Sequence, residues 1–480
     1  MSRHSAPLPL LPLLSVLIAA SFTAGCAVGP DYVRPSIETP AAFKEAAAFE
    51  GKWKQLGDTP AFAADNWWQV FKDPVLDSLQ EQVRVDNQNI RIAEAQYRAA
   101  RAALDSANAA FYPTINGSFG GTRAANAIVT NSNNTQSLGA RPPTTTVNLS
   151  ASASWELDLW GKIRRNNETA GARLEASAAD LAAAKLSAHA LLAQTYIQLR
   201  GAEAQLDLQR RTVTAYTRYL ELSRNRFSAG VATPLDVSNA ESQLATARAS
   251  AIAAELQRSQ YEHALATLIG KPPAALALNA TASLPTQPET PSLVPSLWLT
   301  TRPDIVAAER RVAAANAQIG VAKAAWFPAL NLTGSYGYRN NELSDLISMP
   351  HRFWSLGPAL ALSLFDGGAR SAAVETASAG YEQSVATYRQ TVLTAFQEVE
   401  DNLSAARLVG EEKVEREIAA KSARRSREIA NNQYLAGTTG QLEVTSAQAN
   451  ELSAERTLID ARQRHLLAAV QLYKNVGRNQ

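Results

Sequence analysis

Two stretches of this sequence carry the same punctuation in the same order. Ala93-Glu94 returns as Ala308-Glu309 and Phe111-Tyr112-Pro113 as Trp326-Phe327-Pro328, both at an offset of 215 (308 − 93 and 328 − 113), and Asn116 and Asn331 keep that spacing. Farther along, Phe227-Ser228-Ala229-Gly230 is matched by Tyr434-Leu435-Ala436-Gly437, Leu235-Asp236-Val237 by Leu442-Glu443-Val444, and Ile269-Gly270 by Val476-Gly477, all at 207 (437 − 230). Chance similarity between Ala-rich helices does not align a proline, two loop glycines and a terminal glycine in sequence. The chain is read as a tandem duplication, with a first repeat over 76–270, a Pro-rich join over 271–300 and a second repeat over 301–477. A single fold unit used twice must present the same faces twice, and this limits every later step.

Each repeat reads as helix, two strands, long helix, turn, helix. Leu76 to Phe111 is rich in Ala, Arg, Glu and Gln, and Pro113 ends it. The period then changes to two. Ile115, Gly117 and Phe119 alternate with Asn116, Ser118 and Gly120. The next row, Val147, Leu149, Ala151, Ala153, Trp155 and Leu157, alternates with Asn148, Ser150, Ser152, Ser154, Glu156 and Asp158. In the second repeat Leu330, Leu332, Tyr336 and Tyr338 alternate with Asn331, Thr333, Ser335 and Arg339, and Trp354, Leu356, Leu360, Leu362 and Leu364 form a fourth apolar row. One wet and one apolar face fit a sheet packed on helices in a soluble domain. They also fit a wall between water and lipid, and the small, wet residues of the polar rows and the aromatics near the ends of the apolar rows favour that second reading. Polar segments, Arg123 to Thr145 and Asn340 to Arg352, join the paired strands as exposed loops.

From Asn166 to Phe227 and from Gly367 to Tyr434 the chain has 62 and 68 residues without proline. At ~1.5 Å per residue these are rods of roughly 93 and 102 Å, too long for the interior of a globule of this mass. Their Ala-rich faces, with Leu, Ile and Val at three- and four-residue intervals, suit close helix packing. Gly230 and Gly437 fit the left-handed position that ends a helix, and Asp236 and Glu443 fall at the start of the returning helices, at the positive end of the dipole. Capping accounts for both acids, contact with a partner is the other account, and the two are compatible.

Four strands cannot close a barrel, and an open sheet in lipid leaves edge N–H and C=O groups unsatisfied at several kcal/mol each. Copies of the chain must share the wall. Two copies give eight strands filled by side chains, whereas three give twelve and an open lumen, which the wet rows require. The predicted fold is an α/β membrane protein in which four strands per chain build a homotrimeric 12-stranded β-barrel, continued by the long helices as an α-barrel.

The first 25 residues read as a signal peptide. Arg3 and His4 precede an apolar run from Leu8 to Ala20, and Pro7, Pro9 and Pro12 exclude a buried core helix there. The only cysteine of the chain, Cys26, follows Ala24-Gly25, a placement that resembles a bacterial lipoprotein junction, where the thiol is acylated after cleavage just before it. Residues 26–75 are then a lipid-anchored extended segment, and Ala27, where an Asp would retain a lipoprotein, directs it to the outer membrane.

With these features in place the chain resembles the trimeric outer-membrane efflux ducts of the TolC type, and within them the OprM-like (NodT-type) lipoproteins of RND tripartite efflux systems. The likeness rests on Val28-Gly29-Pro30-Asp31-Tyr32 and Arg34-Pro35, on Trp67-Trp68, Phe71, Asp73-Pro74, Leu76 and Leu79, and on Thr301-Arg302-Pro303-Asp304-Ile305, and it covers essentially the whole mature chain. The resemblance implies a barrel in the outer membrane of a Gram-negative bacterium and a helical tunnel through the periplasm, with 271–300 as an equatorial linker. It implies a tip that docks with a periplasmic membrane-fusion (adaptor) protein serving an inner-membrane RND-type pump. The adaptor-contacting turns would be Arg226 to Val237 and Gln433 to Val444, including Gly230, Leu235, Asp236, Gly437, Leu442 and Glu443. A ring of acids narrows such tunnels before the second turn. Glu428 falls at that position and Asn431 stands where a second acid would be, so a strongly cation-selective constriction is not implied. Glu428 as a solvated residue paired with Arg424 or Arg425 is the other reading.

Composition removes other classes. With 46 basic and 44 acidic residues the net charge is +2, leaving no electrostatic case for nucleic acid. A lone cysteine excludes intrachain disulfides and CxxC chemistry, and the histidines (His4, His189, His263, His351, His465) lack metal-ligand spacing. Past the first 30 residues no apolar run reaches the ~18–20 residues of a membrane-spanning helix. Neither a P-loop nor a GxSxG elbow is present, so the chain is expected to be no enzyme and to use no cofactor beyond covalent lipid on Cys26. The expected function is a passive trimeric duct exporting small amphipathic compounds. A duct for type I protein secretion and a structural envelope lipoprotein that transports nothing are the alternatives.

Overall fold

The computed structural model describes residues 27–38, 43–45, 66–125, 143–288 and 302–476. Cys26, the signal segment and residues 289–301 lie outside them. The described elements are α1 (Pro74–Asp86), α2 (Gln88–Ala109), β1 (Thr114–Ala124), β2 (Thr144–Leu157), α3 (Lys162–Ser228), α4 (Pro234–Leu268), α5 (Pro303–Ala324), β3 (Ala329–Asn340), β4 (Arg352–Ala361), α6 (Ala369–Leu435) and α7 (Gln441–Val476). Helix, strand, strand, long helix, turn and helix thus occur twice in the same order. Both long helices have 67 residues, or ~100 Å at ~1.5 Å per residue. The chain divides into two compact units, and each repeat contributes to both.

The helix expected from Leu76 to Phe111 is in fact two. It starts earlier, at Pro74, because the Asp73 carboxylate accepts from the N–H groups of Val75 and Leu76 and Pro74 needs no donor partner at the first position. It breaks at Asn87, whose backbone is extended (φ −66°, ψ 121°). There the Asn87 side-chain oxygen accepts from Asn89 and Ile90 N–H at 3.0 and 3.1 Å while its amide donates to the Leu268 carbonyl at 2.7 Å. An amide side chain that caps better than it propagates overrides the helix formers on either side. The second piece ends at Ala109, short of Phe111.

The first unit is Met1–Pro35, Arg98–Glu175 and Glu309–Ala386. It contains a four-stranded antiparallel sheet in the order β1-β2-β3-β4. Its register lines up the expected rows across all four strands. Gly117, Ala151, Tyr336 and Trp354 stand opposite one another on the apolar side, and Asn116, Ser152, Ser335 and Ser355 on the wet side. The wet side is knitted by Ser118–Ser150 and Ser335–Ser355 hydroxyl bonds, each 2.8 Å. A slip of one residue would mix the two faces. Among the described residues the apolar row is uncovered on the edge strands, with Ile115, Trp354, Leu356 and Leu360 between 68% and 73% exposed, while Val147 on β2 is buried. A sheet packed on helices, the soluble alternative, would have buried them.

One expectation fails here. β4 ends at Ala361, so Leu362 and Leu364 lie beyond the strand, Leu364 at 89% exposure. The reason is pairing. β2 continues to Leu157 because β3 pairs with it as far as Leu330, whereas β4 has only β3 as neighbour and that ladder closes at Ala329–Ala361.

Residues 28–32 are tied into the same unit. Val28 N–H donates to the Trp160 carbonyl (3.1 Å), Asn316 donates to the Pro30 carbonyl (2.9 Å), and Arg165 pairs with Asp31 (2.8 Å). Gly29, at φ +110°, lies so close to Gly320 that a Cβ would come within 2.6 Å of its Cα, so neither position tolerates a side chain. Tyr32 donates to Glu309, which also holds Arg310, and Arg310 reaches Glu175 at 3.0 Å. Burial opposes the charge on Glu309, but Arg310 and Tyr32 outweigh it and hold its carboxyl below the usual range.

The second unit is Ser36–Tyr97, Ala176–Ala308 and Thr387–Gln480. Residues 26–75, expected to be extended, include a 3-10 turn, Trp67–Phe71, whose aromatic side chains are buried with Leu76, Leu79, Tyr196, Ile197, Leu265 and Tyr473. Trp67 stacks on Tyr473 and Trp68 on His189. Below them a buried ion cluster pins the described part of the Pro-rich join. Glu203 accepts from Arg200 (2.6 Å), Arg258 (3.1 Å) and Thr281 N–H (3.1 Å), while Arg200 and Arg258 donate to the carbonyls of Asn279 and Leu278.

Candidate functional site

The candidate site is the pair of turns that end α3 and α6, both in the second unit. Each is built by the same backbone device. Gly230 (φ 71°) and Gly437 (φ 76°) occupy the left-handed position. In the first turn Gly230 N–H donates to the Phe227 carbonyl (3.0 Å) and Val231 N–H to that of Arg226 (2.9 Å). In the second, Gly437 N–H donates to Tyr434 (3.0 Å) and Thr438 N–H to Gln433 (2.9 Å). These are paired Schellman closures that satisfy the last carbonyls of both rods.

The returning helices start differently. Thr233 and Asp236 form a reciprocal capping box before and inside α4, with Pro234 at the first helical position. Asp236 therefore does act as a cap. Its Thr233 partner is marked in the sequence by Thr233-Pro234-Leu235-Asp236, a signal the acid alone does not carry. Before α7 stands Gly440, which has no side chain to offer, and Glu443 lies in the first turn with its carboxylate near Gly440.

The two turns are joined. The Arg226 guanidinium lies over the Tyr434 ring at 4.6 Å, and Gln441 donates to the Asp236 carbonyl at 3.2 Å. Tyr434, Val444, Tyr216, Tyr219, Leu220, Ala240 and Leu244 make a small apolar core behind them. In front, Leu235 and Leu442, at matching places in the repeats, remain 67% and 74% exposed. Gly230, Leu235, Asp236, Gly437, Leu442 and Glu443 are thus gathered at one end of a four-helix array, and two of the six are uncovered leucines.

Glu428 and Asn431 lie on α6 ahead of the second turn. Glu428 is half-buried and faces Arg425 at 3.8 Å, one of the two pairings expected for it. Asn431 lines a cavity of about 490 Å³ with Tyr216, Tyr219, Arg424, Arg427 and Glu451, a grouping with no periodic signal in the sequence. Arg427 pairs with Glu451 at 2.9 Å and Arg424 with Glu455, both contacts raising the arginine pKa values. Burial pushes the Tyr219 hydroxyl up to about 12.

A sequence model described as outer membrane efflux protein matches residues 79–271 and 294–478. The chain is 30% identical to the toluene efflux pump outer membrane protein TtgC of Pseudomonas putida, over 97% of this chain and 95% of that one. It is 31% identical to outer membrane protein OprJ of Pseudomonas aeruginosa, again over 97% and 95%. Among solved structures it is similar to the outer-membrane channel OprN, with a TM-score of 0.85, 30% identity and coverage of 95% and 99%. With sequence, register and backbone in agreement, the chain belongs to the outer membrane efflux protein family and is an outer-membrane component of an efflux system.

Proposed function

We propose that three copies of this chain close one 12-stranded barrel and one helical tunnel, a passive duct through which an inner-membrane RND-type pump expels small amphipathic compounds. The observation that carries this reading is the open sheet, whose wet and apolar rows run in register across all four strands while, among the described residues, β1 and β4 each pair on one side only. Lipid on the apolar side cannot satisfy those edges, and water on the other side needs a lumen. The repeated order of elements and the double match of the family model support descent by tandem duplication. The toluene in TtgC's name supports small-molecule rather than protein cargo.

The paired turns are the docking end for the adaptor, and the exposed Leu235 and Leu442 supply apolar anchors there. Glu428 provides a single acidic ring at the constriction, with Asn431 neutral beside it. Acyl chains on Cys26 anchor the N-terminus, which the contacts of residues 28–32 then hold in place. An adaptor that favours a splayed tip shifts the population from closed to open. Conductance of the purified protein in a planar bilayer, alone and with adaptor, tests the duct. Channels that appear with adaptor are expected, and silence in both conditions overturns it. Deletion should sensitise cells to solvents and antibiotics. Unchanged susceptibility would instead favour the structural lipoprotein, and loss of a secreted protein the type I duct.

A further inference from the structure

We infer that the seam between copies repeats the β2–β3 ladder, so that β4 grows past Ala361 to Leu364 along β1 of a second copy of this chain. The inference rests on the shared-wall reading above and adds the register and the residues.

The warrant is that the two intra-repeat ladders are the same ladder. β1 and β2 close at Thr114–Ser154, and β3 and β4 at Ala329–Ala361. These pairs stand 215 and 207 residues apart (329 − 114 and 361 − 154), the same two offsets that relate the repeats in sequence. Between the repeats, β2 and β3 pair from Val147–Asn340 to Leu157–Leu330, a run of eleven. Moving β2 forward by 207 and β3 back by 215 places Trp354 opposite Ala125 of the next copy and Leu364 opposite its Ile115. Leu360 then meets Phe119, Leu362 meets Gly117 and Ser363 meets Asn116.

Every pair in this register keeps its face. Leu360, Leu362 and Leu364 continue the apolar row with Phe119 and Ile115, and Ser363 continues the wet row with Asn116. A slip of one residue would set leucines opposite the wet row. The register also accounts for a feature the single chain leaves without a purpose. Leu362 and Leu364 carry strand periodicity yet sit outside the strand, exposed, because their ladder partners belong to another copy. Trp155, Glu156 and Leu157, their counterparts in the first repeat, are strand because β3 supplies those partners from within the chain.

The test is disulfide trapping in native outer membranes. Residues directly opposite bring Cβ atoms to ~4.5–5.5 Å, whereas diagonal neighbours two residues away stay ~7–8 Å apart. A disulfide needs ~3.5–4.5 Å between them, so only the opposite pair can close with a small adjustment. Ser363→Cys combined with Asn116→Cys is expected to give covalent trimers on a non-reducing gel. Ser363→Cys with Ser118→Cys or with Thr114→Cys, the two slips that preserve the faces, is expected to give monomers. The single variants serve as blanks for Cys26. Trapping by a slipped pair in an intact trimer overturns the seam and leaves the shared wall standing. A protein that traps with no pair and sizes as a monomer in detergent removes the shared wall itself. Hydrogen exchange on the unmodified trimer gives an independent reading. Protected amides at Leu362 to Leu364 are expected, and exchange at open-loop rates overturns the strand extension.

Discussion

The two hairpins of the second unit, α3–α4 and α6–α7, share a turn backbone and differ in where they are held. The first is fixed at its ends, with two exposed inter-helix pairs, Arg224–Glu241 (2.7 Å) and Arg210–Glu255 (3.8 Å), between them. A capping box closes the turn at Thr233 and Asp236, and the buried cluster around Glu203 locks the base to the Pro-rich join. The second has a glycine in the capping place and carries its polar contacts along its length. Arg427–Glu451, Arg424–Glu455, Arg462–Glu417 and Arg464–Glu412 form an antiparallel ladder of pairs that all keep at least one partner partly in water. A buried cluster resists water and salt, whereas an exposed ladder yields to both. The restraints along α6–α7 are therefore the ones that salt and acid reach more readily.

The sharpest way to break this contrast is at Glu203, whose side chain is 1% exposed between Arg200 and Arg258. Burial opposes the charge on Arg200, and Glu203 and Tyr196 outweigh it, leaving its pKa raised. Glu203→Gln leaves those cations buried with too little compensation, which costs about 3–5 kcal/mol. Chemical denaturation of the detergent-solubilised protein should show that loss. An effect below ~1 kcal/mol, the range of exposed pairs, would erase the distinction between the hairpins.

Next in size are the turn glycines. A Cβ at a left-handed position costs roughly 1–2 kcal/mol, and a β-branched residue is worse placed still. Gly230→Val and Gly437→Val should both impair export, and Gly437→Val more, because no capping box restrains the turn it would distort. Equal export by the two variants would remove the asymmetry. Thr233→Ala should cost about 1 kcal/mol through loss of the cap, measured by the same denaturation. No counterpart of that variant exists at Gly440.

These contrasts show what the sequence made legible. Alternation fixed both faces of β1 to β4, and the matching offsets of Gly230 and Gly437 located both turns, because period and backbone sign are local properties. Asn87 broke a helix that propensity would have continued, since its value as a cap depends on Leu268, distant in sequence. β4 stopped short of Leu362 because ladder length depends on a neighbour, not on the strand's own residues. The Glu203 cluster left no periodic trace either, as its three partners come from α3, α4 and the join.

The smallest effect is in the ladder, and it discriminates best by its conditions. Glu451→Gln removes the partner of Arg427 and a neighbour of Arg424, yet both arginines stay partly in water, so the loss should not exceed ~1 kcal/mol. Added salt should weaken the unmodified ladder in the same direction. Acid gives the sign. Glu412 is held below the usual carboxylate range by Arg464, with Arg416 adding to it. A carboxyl with a lowered folded value contributes fully above its unfolded pKa and loses that contribution as pH falls through the lower value. The α6–α7 hairpin should therefore loosen more with salt and with acid below the normal glutamate range than α3–α4, which has two exposed pairs and keeps its buried cluster. Hydrogen exchange followed separately at the two hairpins measures this, and parallel responses would show that their restraints are alike.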